Sequence, residues 1–474
     1  MVASNSSSSA SSSSSTRQII NDKRWARKHT EADIRHLIEG LQNGAIPDYQ
    51  ISAWLMAACI NGLDIDETTW LTQALVDSGT VLDLESQSGA FVDKHSTGGV
   101  GDKATLILVP LLASCGVKIA KLSGRALGFT GGTIDKLEAI PGFNVALSQE
   151  AMFAQLKTIG CAISGQTRTL APADGRLYAL RDVTGTVESI PLIAASVMSK
   201  KIAAGAATIV LDIKVGRGAF MKTPDAARQL ASTCRAIGER LGKTIATVIS
   251  NMDSPLGLAI GNSVEVAEAI EVLQGEGPAD VRALCIALGA IALVESGQYE
   301  TLSLAETALM ASLDSGKALK TFKALIDAQG GDSEVLQDAS LLPQPDRIKM
   351  LPAPEAGYVN GIDPLKIAEA VNLLGAGRKT RESPIDLGVG VVLRYKIGEY
   401  IEAGDALLEV YATDDFEKNA QAMALLLEAY KIKPEKPEGH VPLIHELCMN
   451  RPGHLADLIS LKAIEATDTI SSVL

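Results

Sequence analysis

The chain has 474 residues, 46% hydrophobic and 21% charged, with a formal net charge of −13. That length accommodates two or three domains with a sizeable core. The acidic balance excludes a general nucleic-acid binder while leaving room for a local basic site for a small anion. The cysteines (Cys59, Cys115, Cys161, Cys234, Cys285 and Cys448) are scattered and form no C-x-x-C. Neither a zinc site nor a disulfide framework is indicated, and a reducing compartment fits. No apolar run is long enough to span a membrane.

Residues 1–16 form a Ser-rich tail without the apolar core of a secretory signal. Its composition predicts disorder, and the expected location is the cytoplasm. The alternative is a plastid or mitochondrial transit peptide, Ser-rich and poor in acid. Residues 17–80 read as helical: Thr30-Glu31-Ala32-Asp33 is a capping box before Ile34, Leu37, Ile38 and Leu41. Pro47 opens a second stretch ending near Gly62, and Asp66 caps a third ending near Gly79. Packing or dimerisation explains such a region.

From about residue 88, short apolar strands alternate with helices, at 117–122, 162–165, 208–213 and 245–249. This is the signature of a parallel sheet with crossover helices. Two glycine-rich loops follow strand-like runs: Lys94-His-Ser-Thr-Gly-Gly-Val-Gly-Asp102 and Ser123-Gly-Arg-Ala-Leu-Gly-Phe-Thr-Gly-Gly-Thr133. Small residues let backbone N–H groups approach an anion, and hydroxyls with a cation complete the cradle. Lys94, Ser96, Thr105, Ser123 and Thr133 are the natural phosphate ligands, with Lys121 and Arg125 nearby. His95 sits inside the first loop, where packing is a poor reason for a histidine and acid–base chemistry a better one.

A helical insertion breaks the alternation, with Pro191 at a helix start and Gly205 at its end. Ser196 and Lys200 are four apart and share a face of that helix, with Arg181 just before it. Such a trio suits a planar ring bearing carbonyls and an N–H; on spacing alone it is equally an ordinary polar face. The reading is therefore an α/β protein with a small discontinuous all-helical domain (17–80 and 173–205) and a larger α/β domain (88–165 and 206–342) around a mostly parallel sheet. A proline-rich linker at 341–354 leads to a C-terminal α+β subdomain (352–432) resembling a lipoyl sandwich, but without a carrier lysine. The extension at 433–474 reads as polar, then weakly helical, with no function assigned.

Asp93-Lys-His-Ser-Thr-Gly-Gly-Val-Gly-Asp, the run from Ser123 to Glu138, Leu170-Ala-Pro-Ala-Asp174, Tyr178-Ala-Leu-Arg-Asp182 and Ser189-Ile-Pro-Leu-Ile193 resemble the thymidine/pyrimidine-nucleoside phosphorylases in order and spacing. The resemblance runs from about residue 17 to 430. It implies a homodimer of two-domain subunits that close over a cleft. It implies phosphate binding by Lys94, His95, Ser96, Thr105, Lys121, Ser123 and Thr133. It also implies pyrimidine recognition by Arg181, Ser196 and Lys200 with Tyr178 beside them, and catalysis by His95, Arg181, Ser196 and Lys200. A potassium ion is implied at Gly101, Lys103, Leu256, Ala259 and Glu268. Phe129 stands where the family usually has histidine, Ala126 where it has glycine, and Gly185 where it has alanine.

The expected reaction is reversible phosphorolysis of a pyrimidine nucleoside to free base and pentose 1-phosphate, with phosphate as co-substrate and no redox cofactor. The expected partners are these small molecules and a second copy of the chain, with no nucleic acid or membrane. The alternatives are a phosphoribosyltransferase or nucleotide phosphorylase of related fold, and a non-catalytic nucleoside-binding protein.

Overall fold

The computed structural model describes residues 14–84, 86–125, 131–166, 169–378, 384–439 and 441–461. The chain opens with four helices, α1 (Thr16–Arg24), α2 (Glu31–Asn43), α3 (Asp48–Asn61) and α4 (Ile65–Asp77). There follow β1 (Val92–Ser96), α5 (Ala104–Ser114), β2 (Ile119–Ser123), α6 (Thr133–Leu137), α7 (Gln149–Thr158) and β3 (Cys161–Gly165). A second helical stretch holds α8 (Pro172–Thr184) and α9 (Ile190–Ala203). Next come β4 (Thr208–Val215), α10 (Pro224–Arg240), β5 (Thr244–Asn251), β6 (Ala259–Gly261), α11 (Asn262–Leu273), α12 (Ala279–Glu295), α13 (Leu302–Asp314) and α14 (Lys317–Ala328). The last third carries β7 (Arg347–Pro352), β8 (Gly357–Ile362), α15 (Pro364–Val371), β9 (Gly390–Leu393), β10 (Tyr400–Ile401), β11 (Ala406–Ala412), α16 (Phe416–Ala429), β12 (Tyr430–Lys433) and β13 (Ile444–Cys448).

These elements form two compact units, residues 1–81 with 168–203, and 82–167 with 204–474. In the helical unit Thr30 caps α2 and forms a reciprocal capping box with Asp33. The cap of α4 is Asp64, not Asp66: its carboxylate accepts from the Asp66 and Glu67 amides, and Glu67 reaches back to the Asp64 N–H. Trp54, Leu37, Leu41, Leu55, Leu71, Leu177 and Leu192 share one buried cluster, which packs the α8–α9 insertion onto the N-terminal helices. Gly185 ends α8 at φ +67°, where an alanine would be strained. It acts as a helix stop.

The larger unit is built on a sheet ordered β1-β4-β5-β13. The β2–β3 pair lies beyond β1, joined through the parallel Phe91–Lys118 bridge. The β1–β4, β4–β5 and β2–β3 pairings are all parallel. Helices α5 and α12 pack together over one face, and α10 covers β4 and β5. Two further sheets, β10-β8-β12 and β6-β9-β11-β7, are formed by the last third of the chain together with β6.

The described residues after 433 are built into the larger unit, and the helical stretch expected there begins at residue 459, at the limit of the described residues. Strand β13 pairs antiparallel with β5, with Ile444 opposite Ser250, and Ile444, Leu458 and Leu461 enter the main core. The buried carboxylates of Glu295 and Glu306 accept backbone N–H groups of Asn450, Arg451, Ile459 and Ser460. Among the described residues no helix is long and apolar enough to cross a membrane.

Candidate active site

The order β3-β2-β1-β4-β5 reverses direction at β1. The chain leaves β1 through α5 to one side of the sheet and later re-enters at β4 on the other. In open parallel sheets the crevice outside the carboxyl ends of the strands at such a switch point is where ligands bind. Lys94, His95 and Ser96 belong to β1 itself, not to the following loop, because the pairing with β4 continues to Ser96 opposite Asp212. Thr97 then donates its N–H to Asp212 O (3.0 Å), and its hydroxyl accepts from Lys214 N (2.9 Å). The chain turns at Gly98 (φ +93°) and Gly101 (φ +74°) before α5, whose second residue is Thr105. Ser123 ends β2, and Thr133 opens α6.

The lysines and aspartates at these strand ends are buried and mostly paired, whereas Arg125 is exposed. Lys94 Nζ lies 3.5 Å from Asp212 and 3.8 Å from Asp102, and among the described residues it has no close hydrogen-bond partner. Burial opposes its charge, but Asp102 and Asp212 outweigh that and hold its pKa above the ordinary lysine value. Burial likewise works to raise the Asp102 pKa, yet Lys94 and Lys214 keep that carboxyl far below its usual range. Lys121, by contrast, is committed to the scaffold: its ammonium bonds the Lys94 carbonyl and lies 3.1 Å from Asp93. Arg125 is paired with Asp135 and Glu138. Ala126 and Phe129, where the sequence departs from the family pattern, lie outside the described residues.

In the helical unit, Lys200 Nζ donates to Ser196 Oγ (3.1 Å) and lies 2.7 Å from Asp174 Oδ2. The helical spacing is thus a real contact, with a buried aspartate beneath it. Arg181 is buried, and three of its donors go to the carbonyls of Thr186 (3.2 Å), Leu192 (3.1 Å) and Val187 (2.7 Å). Desolvation holds its pKa below the ordinary arginine value. Its guanidinium also lies 5.7 Å from the centre of the Tyr178 ring. Arg181 therefore locks the α8–α9 connection. Asp174, Asp102 and Asp212 were not singled out by sequence; the signal for Asp174 was its place in the Leu170-Ala-Pro-Ala-Asp174 run.

The cluster expected to hold potassium does not fit a metal ion. Leu256, Ala259 and Glu268 do converge, but on the ammonium of Lys103, which donates to Leu256 O (3.1 Å), Ala259 O (2.8 Å) and the Glu268 carboxylate, while the Gly101 carbonyl accepts the Lys103 backbone N–H (2.9 Å).

Fold and site together define an open-sheet α/β protein with a cluster of buried charged side chains at its switch point and a helical unit built from two separate stretches of chain. Three family models match along the chain: the glycosyl transferase family helical bundle domain at residues 17–79, the glycosyl transferase family a/b domain at 88–319, and the pyrimidine nucleoside phosphorylase C-terminal domain at 358–433. The chain is 50% identical over 394 residues to the pyrimidine-nucleoside phosphorylases of Geobacillus stearothermophilus and Bacillus subtilis, covering 83% of this chain and 91% of each relative. The Staphylococcus aureus protein of the same name is 48% identical over the same span. Anthranilate phosphoribosyltransferase from Thermus thermophilus shares the fold, with a TM-score of 0.54 at 18% identity over 66% of this chain and 99% of that one. The chain belongs to the pyrimidine-nucleoside phosphorylase family.

Proposed function

We propose that this protein catalyses the reversible phosphorolysis of pyrimidine nucleosides to free base and ribose or deoxyribose 1-phosphate. A phosphate oxygen attacks the anomeric carbon as the bond to the base nitrogen breaks. The bonding pair leaves with the base and spreads onto its carbonyls. The observation that carries this reading is the buried Lys94 ammonium at the switch point, held by two carboxylates at 3.5 and 3.8 Å and without a close hydrogen-bond partner among the described residues. A buried charged donor of this kind suits an anion. Ser96, Thr105, Ser123 and Thr133 add hydroxyls for phosphate, and His95 is the proton source or charge stabiliser for the leaving base. Lys121 contributes indirectly, by holding the Lys94 backbone.

Lys200 and Ser196, steadied by Asp174, take the pyrimidine edge, with Arg181 and Tyr178 shaping the connection beside them. Holding phosphate and nucleoside together supplies proximity, and no covalent intermediate is needed.

We further propose a homodimer formed through the helical unit. Helix α3 carries an exposed apolar stripe, on which Tyr49, Met56 and Ile60 are 74, 39 and 74% exposed. A compartment that keeps thiols reduced, the cytoplasm, suits the six free cysteines. The test is product analysis with thymidine, uridine and deoxyuridine: each accepted nucleoside must yield free base and an equal amount of sugar 1-phosphate.

A further inference from the structure

Lys103 immediately precedes α5, and its side chain is fully buried. An ammonium has three N–H donors and no acceptor. The surrounding cage supplies three acceptors: Leu256 O, Ala259 O and Glu268 Oε2. The other oxygen of Glu268 accepts the amides of Leu258 (2.8 Å) and Ala259 (2.9 Å). Every polar group of the cage is therefore matched, which is the condition under which a buried ion pair is tolerated.

The walls are tight. A Cβ on Gly101 would lie 2.4 Å from Leu256 O, and one on Gly257 would lie 2.2 Å from Glu268 Oε2 and 2.8 Å from Lys103 Nζ. A free cation would have to share these oxygens with an ammonium in a low-dielectric interior, where like charges repel strongly. Burial opposes the Lys103 charge, but Glu268 and Glu265 outweigh it and raise its pKa above the usual lysine value. From the other side, Lys396 Nζ binds Pro255 O (2.7 Å) and Gly257 O (2.8 Å). The 255–259 turn is thus held by two lysines.

We infer that Lys103 is a built-in monovalent cation: its tethered ammonium fills the carbonyl-and-carboxylate cage and makes the protein independent of potassium. The covalent tether removes the cost of capturing an ion from solution. It also staples the end of the first glycine-rich loop to α11, so that the loop keeps its shape whatever the salt.

The test compares the full-length protein in potassium chloride and in N-methylglucamine chloride at equal ionic strength, reading the melting midpoint and the nucleoside-cleavage rate. The melting readout does not depend on the proposed reaction, so its outcome stands even if that reaction is wrong. The wild type is expected to show the same midpoint and rate in both salts; a saturable rise of either with potassium overturns the inference. Lys103→Ser leaves Glu268 buried without a cation, and its rate in N-methylglucamine should fall by about tenfold or more. Potassium should restore both its rate and its melting midpoint. A folded Lys103→Ser that ignores potassium, sodium and ammonium alike overturns the inference. Should that variant fold in no salt, the wild-type comparison alone decides.

Discussion

Lys200 Nζ lies 2.7 Å from Asp174 Oδ2, joining α9 to α8 through a carboxylate that is only 1% exposed. The aspartate aims the ammonium and leaves it 28% exposed, open to a ligand on one side. Lys200→Ala should lose ~2–4 kcal/mol of transition-state stabilisation, the scale for a preorganised charged donor. Asp174→Asn should reduce kcat/KM for nucleoside while leaving the KM for phosphate near its wild-type value. Unchanged nucleoside kinetics in both variants would reduce the pair to a structural contact.

Lys94 is the cation at the switch point. Removing it should weaken phosphate binding by about 1.5–3 kcal/mol, the typical contribution of a hydrogen bond to a charged group. Steady-state kinetics of Lys94→Ala should show the KM for phosphate rising more than that for nucleoside. An equal rise in both would place Lys94 outside the phosphate site.

Tyr49, Met56 and Ile60 present an apolar stripe of α3. Ile60→Glu should convert a dimer into monomers, read by light scattering on a sizing column. A variant that elutes with the mass of the wild type moves the interface elsewhere.

His29 should make the helical unit sensitive to acid. Trp54 Nε1 donates to His29 Nε2 at 3.1 Å, which requires a neutral ring with its lone pair on that nitrogen. Desolvation, then the neighbouring Lys23, lowers the His29 pKa from the ordinary 6.5, against the opposing charges of Glu67, Asp33 and Asp22. The group binds its proton more readily when unfolded. Its contribution is therefore present above pH 6.5 and lost as pH falls through the lowered folded value. Melting curves from about pH 7.5 to 5, the range that brackets an ordinary histidine, should fall less steeply for His29→Gln than for the wild type; parallel curves would remove His29 as the cause.

Periodicity exposed the strands, the helical insertion and the two loops, because backbone pattern is local. The end of β1 was misplaced since Lys94 and His95 look like loop residues until β4 pairs with them as far as Asp212. Strand β13 was invisible because a five-residue edge strand inherits its order from β5, not from its own sequence. The potassium expectation could not foresee the Lys103 ammonium for a related reason. Lys103 and Glu268 are 165 residues apart, and only the fold shows that the side chain turns inward to the carbonyls its own loop helps to gather. Asp174 was legible as part of a motif but not as the partner of Lys200.

Phosphorolysis stands or falls on the initial rate of base release from a pyrimidine nucleoside, followed as a function of phosphate concentration. A phosphorylase shows a saturable dependence on phosphate, no release above background without it, and replacement of phosphate by arsenate; that is the expected result here. Release at the same rate in phosphate-free buffer would make the protein a hydrolase and contradict the proposed reaction.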